Sequence, residues 1–112
     1  MFAMLMGLKS IAPRELHQLM GRDGVTVVDV NARQSWLKAR VPGALNLPPD
    51  FDAGTLPAGT ESLLVFYCSN PLCRKAPNAA RRAKSLGYGN VRVMSAGIAG
   101  WLGASLPTAS GE

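Results

Sequence analysis

The residues best suited to chemistry lie in one stretch, Tyr67-Cys68-Ser69-Asn70-Pro71-Leu72-Cys73-Arg74-Lys75-Ala76-Pro77. It leaves an apolar, strand-like run, Leu63-Leu64-Val65-Phe66-Tyr67, and enters an alanine-rich helical pattern. Cys68 stands where the strand should end. Backbone N–H groups in a tight loop that opens a helix point inward and have no intrahelical partner, so they form a concave anion site. The loop residues Ser69, Asn70, Leu72, Cys73, Arg74 and Lys75 are therefore expected to bind the substrate, with Pro71 lacking an N–H to contribute. The amides and the two cations favour a thiolate, so a lowered pKa and nucleophilic behaviour near neutral pH are expected of Cys68.

Each of these residues has a blander reading. A cysteine after a strand is commonly a small buried hydrophobe, and Arg74 and Lys75 could be ordinary solvated charges. The basic loop and the helix behind it favour the nucleophile. Cys73 divides evenly: it is an inert loop thiol, or a resolving thiol that attacks a sulfur carried by Cys68 and forms a disulfide. That bridge needs Cα atoms within ~7 Å, which a compact loop can supply. Asp29, at the end of an earlier strand, is expected either to support the loop by hydrogen bonding or to cap a turn.

The 112 residues are enough for one core, and hydrophobic residues make up 47% of them. No apolar run nears the ~20 residues of a spanning helix, so a membrane protein is not expected. Met1 to Leu8 is apolar, short and without a preceding positive charge or small-residue cleavage site, which suggests mature sequence and a cytoplasmic location. Two cysteines five apart are no secreted disulfide framework. Beyond them only His17 could join a zinc site, so neither a metal nor another cofactor is expected. Residues 1 to 61 hold six basic and six acidic side chains, whereas residues 62 to 112 hold six basic ones and Glu112 alone. A one-sided field of this kind should draw small anions to the loop. Nucleic acid is the other explanation of a pI near 9.8, but no aromatic residues are interleaved with the cations and no binding motif is present.

Elements able to position the loop follow from pattern. Val25-Thr26-Val27-Val28-Asp29-Val30 and Leu63 to Tyr67 read as strands covered on both faces, Val91 to Met94 as a shorter third, and Leu45 to Leu47 as a small fourth. Helices are expected from Pro13 to Met20, over Arg33 to Lys38, and from Pro77 to Leu86. In the last, Ala76, Ala79, Ala80, Ala83 and Leu86 form a narrow apolar stripe, Arg81, Arg82 and Lys84 fall off it as a wet face, and Gly87 ends it. Trp36 and Trp101 suit packing, Gly43, Gly97 and Gly100 suit turns, and His17 receives no role. Alternating strands and helices predict an α/β domain with a mostly parallel sheet, whose sites form beyond the carboxyl ends of the strands.

These pieces resemble a known family. Val27-Val28-Asp29-Val30, then Val41-Pro42-Gly43-Ala44-Leu45-Asn46-Leu47-Pro48, then Tyr67-Cys68, the Ala79-Ala80 helix, Gly87-Tyr88-Gly89-Asn90-Val91 and Gly97 to Trp101 are similar in order and spacing to rhodanese-like domains. The resemblance covers about residues 9 to 107 and treats 1–112 as a single domain. It implies a central parallel sheet flanked by helices on both faces and a catalytic cysteine cradled by loop amides. It further implies transfer of sulfane sulfur through a persulfide on Cys68, from a small anionic donor such as thiosulfate to a thiol, cyanide or protein acceptor. The chain departs from the family pattern at Ala39-Arg40-Val41, at Asn31, and in the loop, where five residues rather than four separate Cys68 from Arg74. A Cys-x5-Arg loop resembles the dual-specificity phosphatases and arsenate reductases of the same superfamily. A sulfur-relay or oxidant-sensing module is the non-catalytic alternative. Oligomeric state is not legible in the sequence.

Overall fold

A computed structural model describes residues 8–57 and 59–112; Met1 to Gly7, most of the apolar N-terminal stretch, lie outside the described residues. In chain order the elements are β1 (Lys9–Ser10), α1 (Pro13–Leu19), β2 (Val25–Asp29), α2 (Arg33–Lys38), β3 (Leu45–Asn46), β4 (Leu63–Tyr67), α3 (Lys75–Ser85), β5 (Val91–Val93) and α4 (Gly97–Gly103), with a short 3-10 turn at Ala53–Thr55. The five strands form one sheet in the order β1-β5-β4-β2-β3, and every pairing is parallel. This is the α/β architecture expected.

The near-continuous apolar runs of β2 and β4 occupy the middle of the sheet, where both faces are covered. Successive side chains alternate between those faces. Val28, Leu64, Phe66 and Cys68 pack on one side with Phe51 and the alanines of α3. Val27, Val65 and Tyr67 pack on the other with Leu16 of α1, Met94 and Trp101 of α4. Helices therefore cover both faces. Trp101 is fully buried and its indole N–H donates to Pro107 O at 2.7 Å, so its expected packing role is observed.

Helix α3 starts two residues earlier than its periodicity predicts, so Pro77 lies in its first turn, where the missing N–H has no intrahelical acceptor to lose. Ala76, Ala79, Ala80 and Ala83 are buried and bring the helix close to the sheet. The expected stripe stops there, since Leu86 is outside the helix and exposed. Gly87 takes φ +104, and the N–H groups of Gly87 and Tyr88 close on Lys84 O and Ala83 O at 3.0 and 3.2 Å, a Schellman ending. Two expectations are corrected. Gly97 and Gly100 belong to helix α4 rather than to turns. Arg82 is not simply a wet-face residue: its Nε donates to Phe51 O at 2.8 Å and its guanidinium lies 5.3 Å from the Phe51 ring. Among the described residues, no helix is long and apolar enough to cross a membrane.

Candidate active site

The loop Cys68–Arg74 leaves the carboxyl end of central strand β4 and feeds α3. Alternation along β4 turns the Cys68 side chain to the α3 side, and its sulfur accepts the backbone N–H groups of Ala76 and Ser69. The inward direction of the Ser69 amide has a cause outside the loop. The first free N–H groups of α4 capture the loop's carbonyls: Ile98 N–H donates to Cys68 O at 2.9 Å and Ala99 N–H to Ser69 O at 3.0 Å. With the Cys68 carbonyl held outward, the Ser69 N–H of the same peptide group points the opposite way; the Ala76 N–H is instead one of the unpaired amides of the first turn of α3. This docking needs Gly97, whose φ is +67 and where a Cβ would stand 2.6 Å from both Ser69 C and Asn70 N. Gly97 is thus a close-approach residue, a role its sequence context did not signal.

A second tether comes from β2. Parallel register sets Asp29 beside Tyr67, and Tyr67 O–H donates to Asp29 Oδ2 at 2.7 Å while accepting Val41 N–H at 3.0 Å. Asp29 Oδ1 accepts Asn31 N–H at 2.8 Å. The loop contact is made by Asn31, whose Oδ1 accepts the Ser69 hydroxyl at 2.8 Å. Of the two roles expected of Asp29, it takes the turn cap, with Oδ1 accepting the N–H two residues on, and it reaches the loop through Asn31 rather than directly. Asn31 was legible only as the polar residue ending a buried strand. Burial raises the Asp29 pKa, and the hydrogen bonds from Tyr67 and Asn31 offset part of that rise.

Inside the loop, Asn70 makes a tight turn. Its side-chain Oδ1 accepts Leu72 N–H at 2.9 Å and its backbone O accepts Cys73 N–H at 3.1 Å. The turn folds Cys73 back over Cys68. The two cysteines are free thiols that act on each other's ionisation, and the Lys75 and Ser69 amides favour the Cys73 anion. The expectation of a lowered Cys68 pKa is corrected here. Burial first, then the thiol hydrogen bond and the charge on Cys73, push Cys68 up to about 12. At Cys73 burial also opposes ionisation, but the hydrogen bond from Cys68, the Lys75 and Ser69 amides and the Lys75 charge outweigh it, and its pKa falls. The loop amides thus favour the anion at the second sulfur, so that ionisation is easier at Cys73 than at Cys68.

Above the pair lies a cleft of about 380 Å³, lined by Cys68, Asn70, Pro71, Leu72, Cys73, Ala76, Pro77, Val93, Met94, Ser95 and Ala96. Its walls are mostly apolar, and Leu72 at its lip is 80% exposed. Of the expected substrate-binding residues, Asn70, Leu72 and Cys73 line it, while Ser69, Arg74 and Lys75 do not. Ser69 and Lys75 take part through their amides. Nor does the basic second half encircle the site. Arg82 and Lys84 sit in the last turn of α3, where they complement the helix dipole at the end away from Cys68, and Arg92 pairs with Glu15 at 3.5 Å. Met94, Ser95 and Ala96, just beyond β5, are wall residues the sequence did not single out. The Ser95 Oγ is buried and, among the described residues, has no hydrogen-bond partner.

The family profile described as "Rhodanese-like domain" matches residues 12–104. This chain belongs to the rhodanese-like domain family. Within it, the chain is similar to the uncharacterized protein YibN of Escherichia coli K12, 29% identical over 110 residues, 94% of this chain and 75% of that protein. Among solved structures it resembles the BH2092 protein of Bacillus halodurans, with a TM-score of 0.83 and 23% identity over 96% of this chain and 80% of that one. It also resembles a thiosulfate sulfurtransferase of Pseudomonas aeruginosa, with a TM-score of 0.83 and 26% identity, covering 94% of this chain and 20% of the larger protein.

Proposed function

We propose that this rhodanese-like domain is a sulfurtransferase in which Cys68 carries sulfane sulfur as a persulfide. The observation that supports this best is the placement of the Cys68 sulfur: at the end of the central strand, on the Ser69 and Ala76 amides, beneath an apolar cleft. Cys73, ionised first, accepts the Cys68 proton as Cys68 attacks the outer sulfur of a donor such as thiosulfate. The S–S bond of the donor breaks and sulfite leaves. The new persulfide anion is held by the loop amides, and an acceptor thiol, cyanide or protein nucleophile then removes the outer sulfur. The structural likeness to a thiosulfate sulfurtransferase supports the same reading.

The wall chemistry disfavours the phosphatase and arsenate reductase alternative suggested by the Cys-x5-Arg spacing. A tetrahedral dianion needs a full ring of donors and a leaving group needs a proton. Here Pro71 interrupts the ring, Arg74 is not on the wall, and no Asp or Glu lines the cleft. Sulfane sulfur is softer and less hydrated, and an apolar wall suits it better. The test is release of sulfite from thiosulfate, with thiocyanate formed when cyanide is the acceptor, beside hydrolysis of an aryl phosphate. Sulfite and thiocyanate without phosphate release are expected; aryl phosphate turnover without sulfite release would refute the sulfur reading.

A further inference from the structure

A buried nucleophile needs one cysteine, and this loop folds two into contact. The device that does so is specific. The Asn70 side chain and backbone close a turn on Leu72 and Cys73, which reverses the chain. Cys73 is thereby turned back onto the cleft that Cys68 lines, where the Ser69 amide favours the anion of either sulfur. Cys73 thus lines the same cleft into which the Cys68 sulfur opens.

We propose that Cys73 is a second catalytic thiol, which closes a disulfide with Cys68 and expels the transferred sulfur as sulfide. The role rests on the persulfide of Cys68 proposed above. The chemistry balances without an added oxidant. After loading, Cys68 holds S–S⁻ and Cys73 holds the proton taken from Cys68. The Cys73 sulfur attacks the inner sulfur of the persulfide, the Cys68–Cys73 bond forms, and the bond to the outer sulfur breaks. The outer sulfur takes the electron pair and the Cys73 proton and leaves as HS⁻. The sulfane sulfur is reduced and the two cysteines are oxidised, so an external thiol or dithiol must reopen the disulfide before the next turnover. Because Cys73 is tethered beside its target, its effective concentration exceeds that of dilute external thiols, and sulfide release should dominate when no acceptor is supplied.

The experiment compares the full chain with Cys73→Ser and Cys73→Ala after treatment with thiosulfate under nitrogen, without reductant. Sulfite, sulfide and intact mass are measured, and the product is mapped by peptide analysis. The wild type should release sulfite and sulfide in equal amounts and end two hydrogens lighter, with Cys68 and Cys73 linked. Both variants lack the proton acceptor and should release sulfite more slowly at neutral pH, but each molecule that does load should remain one sulfur atom heavier, with sulfide per sulfite lower by about tenfold or more. Sulfite release with a sulfur adduct equally long-lived in wild type and variants, and no internal disulfide, overturns the role of Cys73 alone. Absence of sulfite from all three proteins overturns the Cys68 persulfide and the role of Cys73 with it.

Discussion

Two clefts open at opposite ends of the sheet, and the larger one has no chemistry. The cleft at the start of β2 measures about 480 Å³ and is walled by residues such as Val25, Thr26, Pro42, Leu45 and Leu56, with no titratable side chain and no thiol on its lining. The cleft beyond the end of β4 measures about 380 Å³ and contains both cysteines. Volume does not distinguish a site here; direction does. At the carboxyl ends of parallel strands the chain enters helix N-termini, whose N–H groups are unpaired and can hold a developing negative charge. At the opposite end, the N–H groups of the following strand are already committed to the ladder. The two ends also differ in how the backbone is held. Gly97 is pressed against Ser69 and Asn70, whereas Gly43, on the far cleft, also has positive φ but nothing within 4 Å.

The contrast breaks most sharply at the nucleophile. Cys68→Ser should lower thiosulfate-dependent sulfite release by about 10³-fold or more, because a hydroxyl cannot supply the thiolate. Thermal unfolding should change by only a few degrees, since the side chain remains small. Retained sulfite release in a folded Cys68→Ser protein would remove the site from this cleft.

Gly97→Ala tests the backbone contact. A Cβ 2.6 Å from two loop backbone atoms must displace the loop, so sulfite release should fall about 100-fold, and stability should fall by roughly 1–3 kcal/mol. Gly43→Ala meets only backbone strain, of about 1–2 kcal/mol, and should leave the rate unaltered. Equal rate losses in the two variants would show that the loop does not depend on α4.

Tyr67→Phe probes the tether behind Asn31. It takes one donor from the buried Asp29 carboxylate and should cost about 1–3 kcal/mol. The Asp29 pKa is raised on folding, so its stabilising contribution is complete below the unfolded carboxylate range and is lost as pH rises through the folded value. Removing a donor that favours the anion moves that value higher still. The penalty of Tyr67→Phe should therefore grow from acid toward neutral pH in urea denaturation. A penalty independent of pH would mean that the hydroxyl acts through the Val41 N–H it accepts rather than through Asp29.

Thr26→Val, on the wall of the larger cleft, should have the smallest effect: sulfite release within about twofold and stability within about 0.5 kcal/mol of wild type. A large loss of activity would show that the far end of the sheet takes part after all.

Much of this molecule was legible because the signals are local. The strands over 25–29 and 63–67 follow from β-branched, apolar runs, and Gly87 ends its helix because only a residue free of a Cβ readily adopts that left-handed turn. The alanine stripe of α3 is visible as spacing. Cys68 is visible as the first polarisable residue beyond a buried strand. Helix α4 was hidden because Gly97 and Gly100 read as punctuation; the packing of Trp101 and the hydrogen bonds to Cys68 O and Ser69 O override their low helix propensity.

The sequence by itself determined the central strands and the helices between them, the largely parallel sheet, the cysteine at the end of β4 and the family. All of these depend on patterns that repeat within a few residues, or on motifs kept in chain order. Tertiary structure alone decided where the acidity and the charge lie. Burial of Cys68 against α3 and the reversal of the loop at Asn70 moved the easier ionisation to Cys73, and the run of α3 away from the loop left Arg82 and Lys84 at its far end. A pKa depends on desolvation and on neighbours within a few ångströms, whatever their distance along the chain.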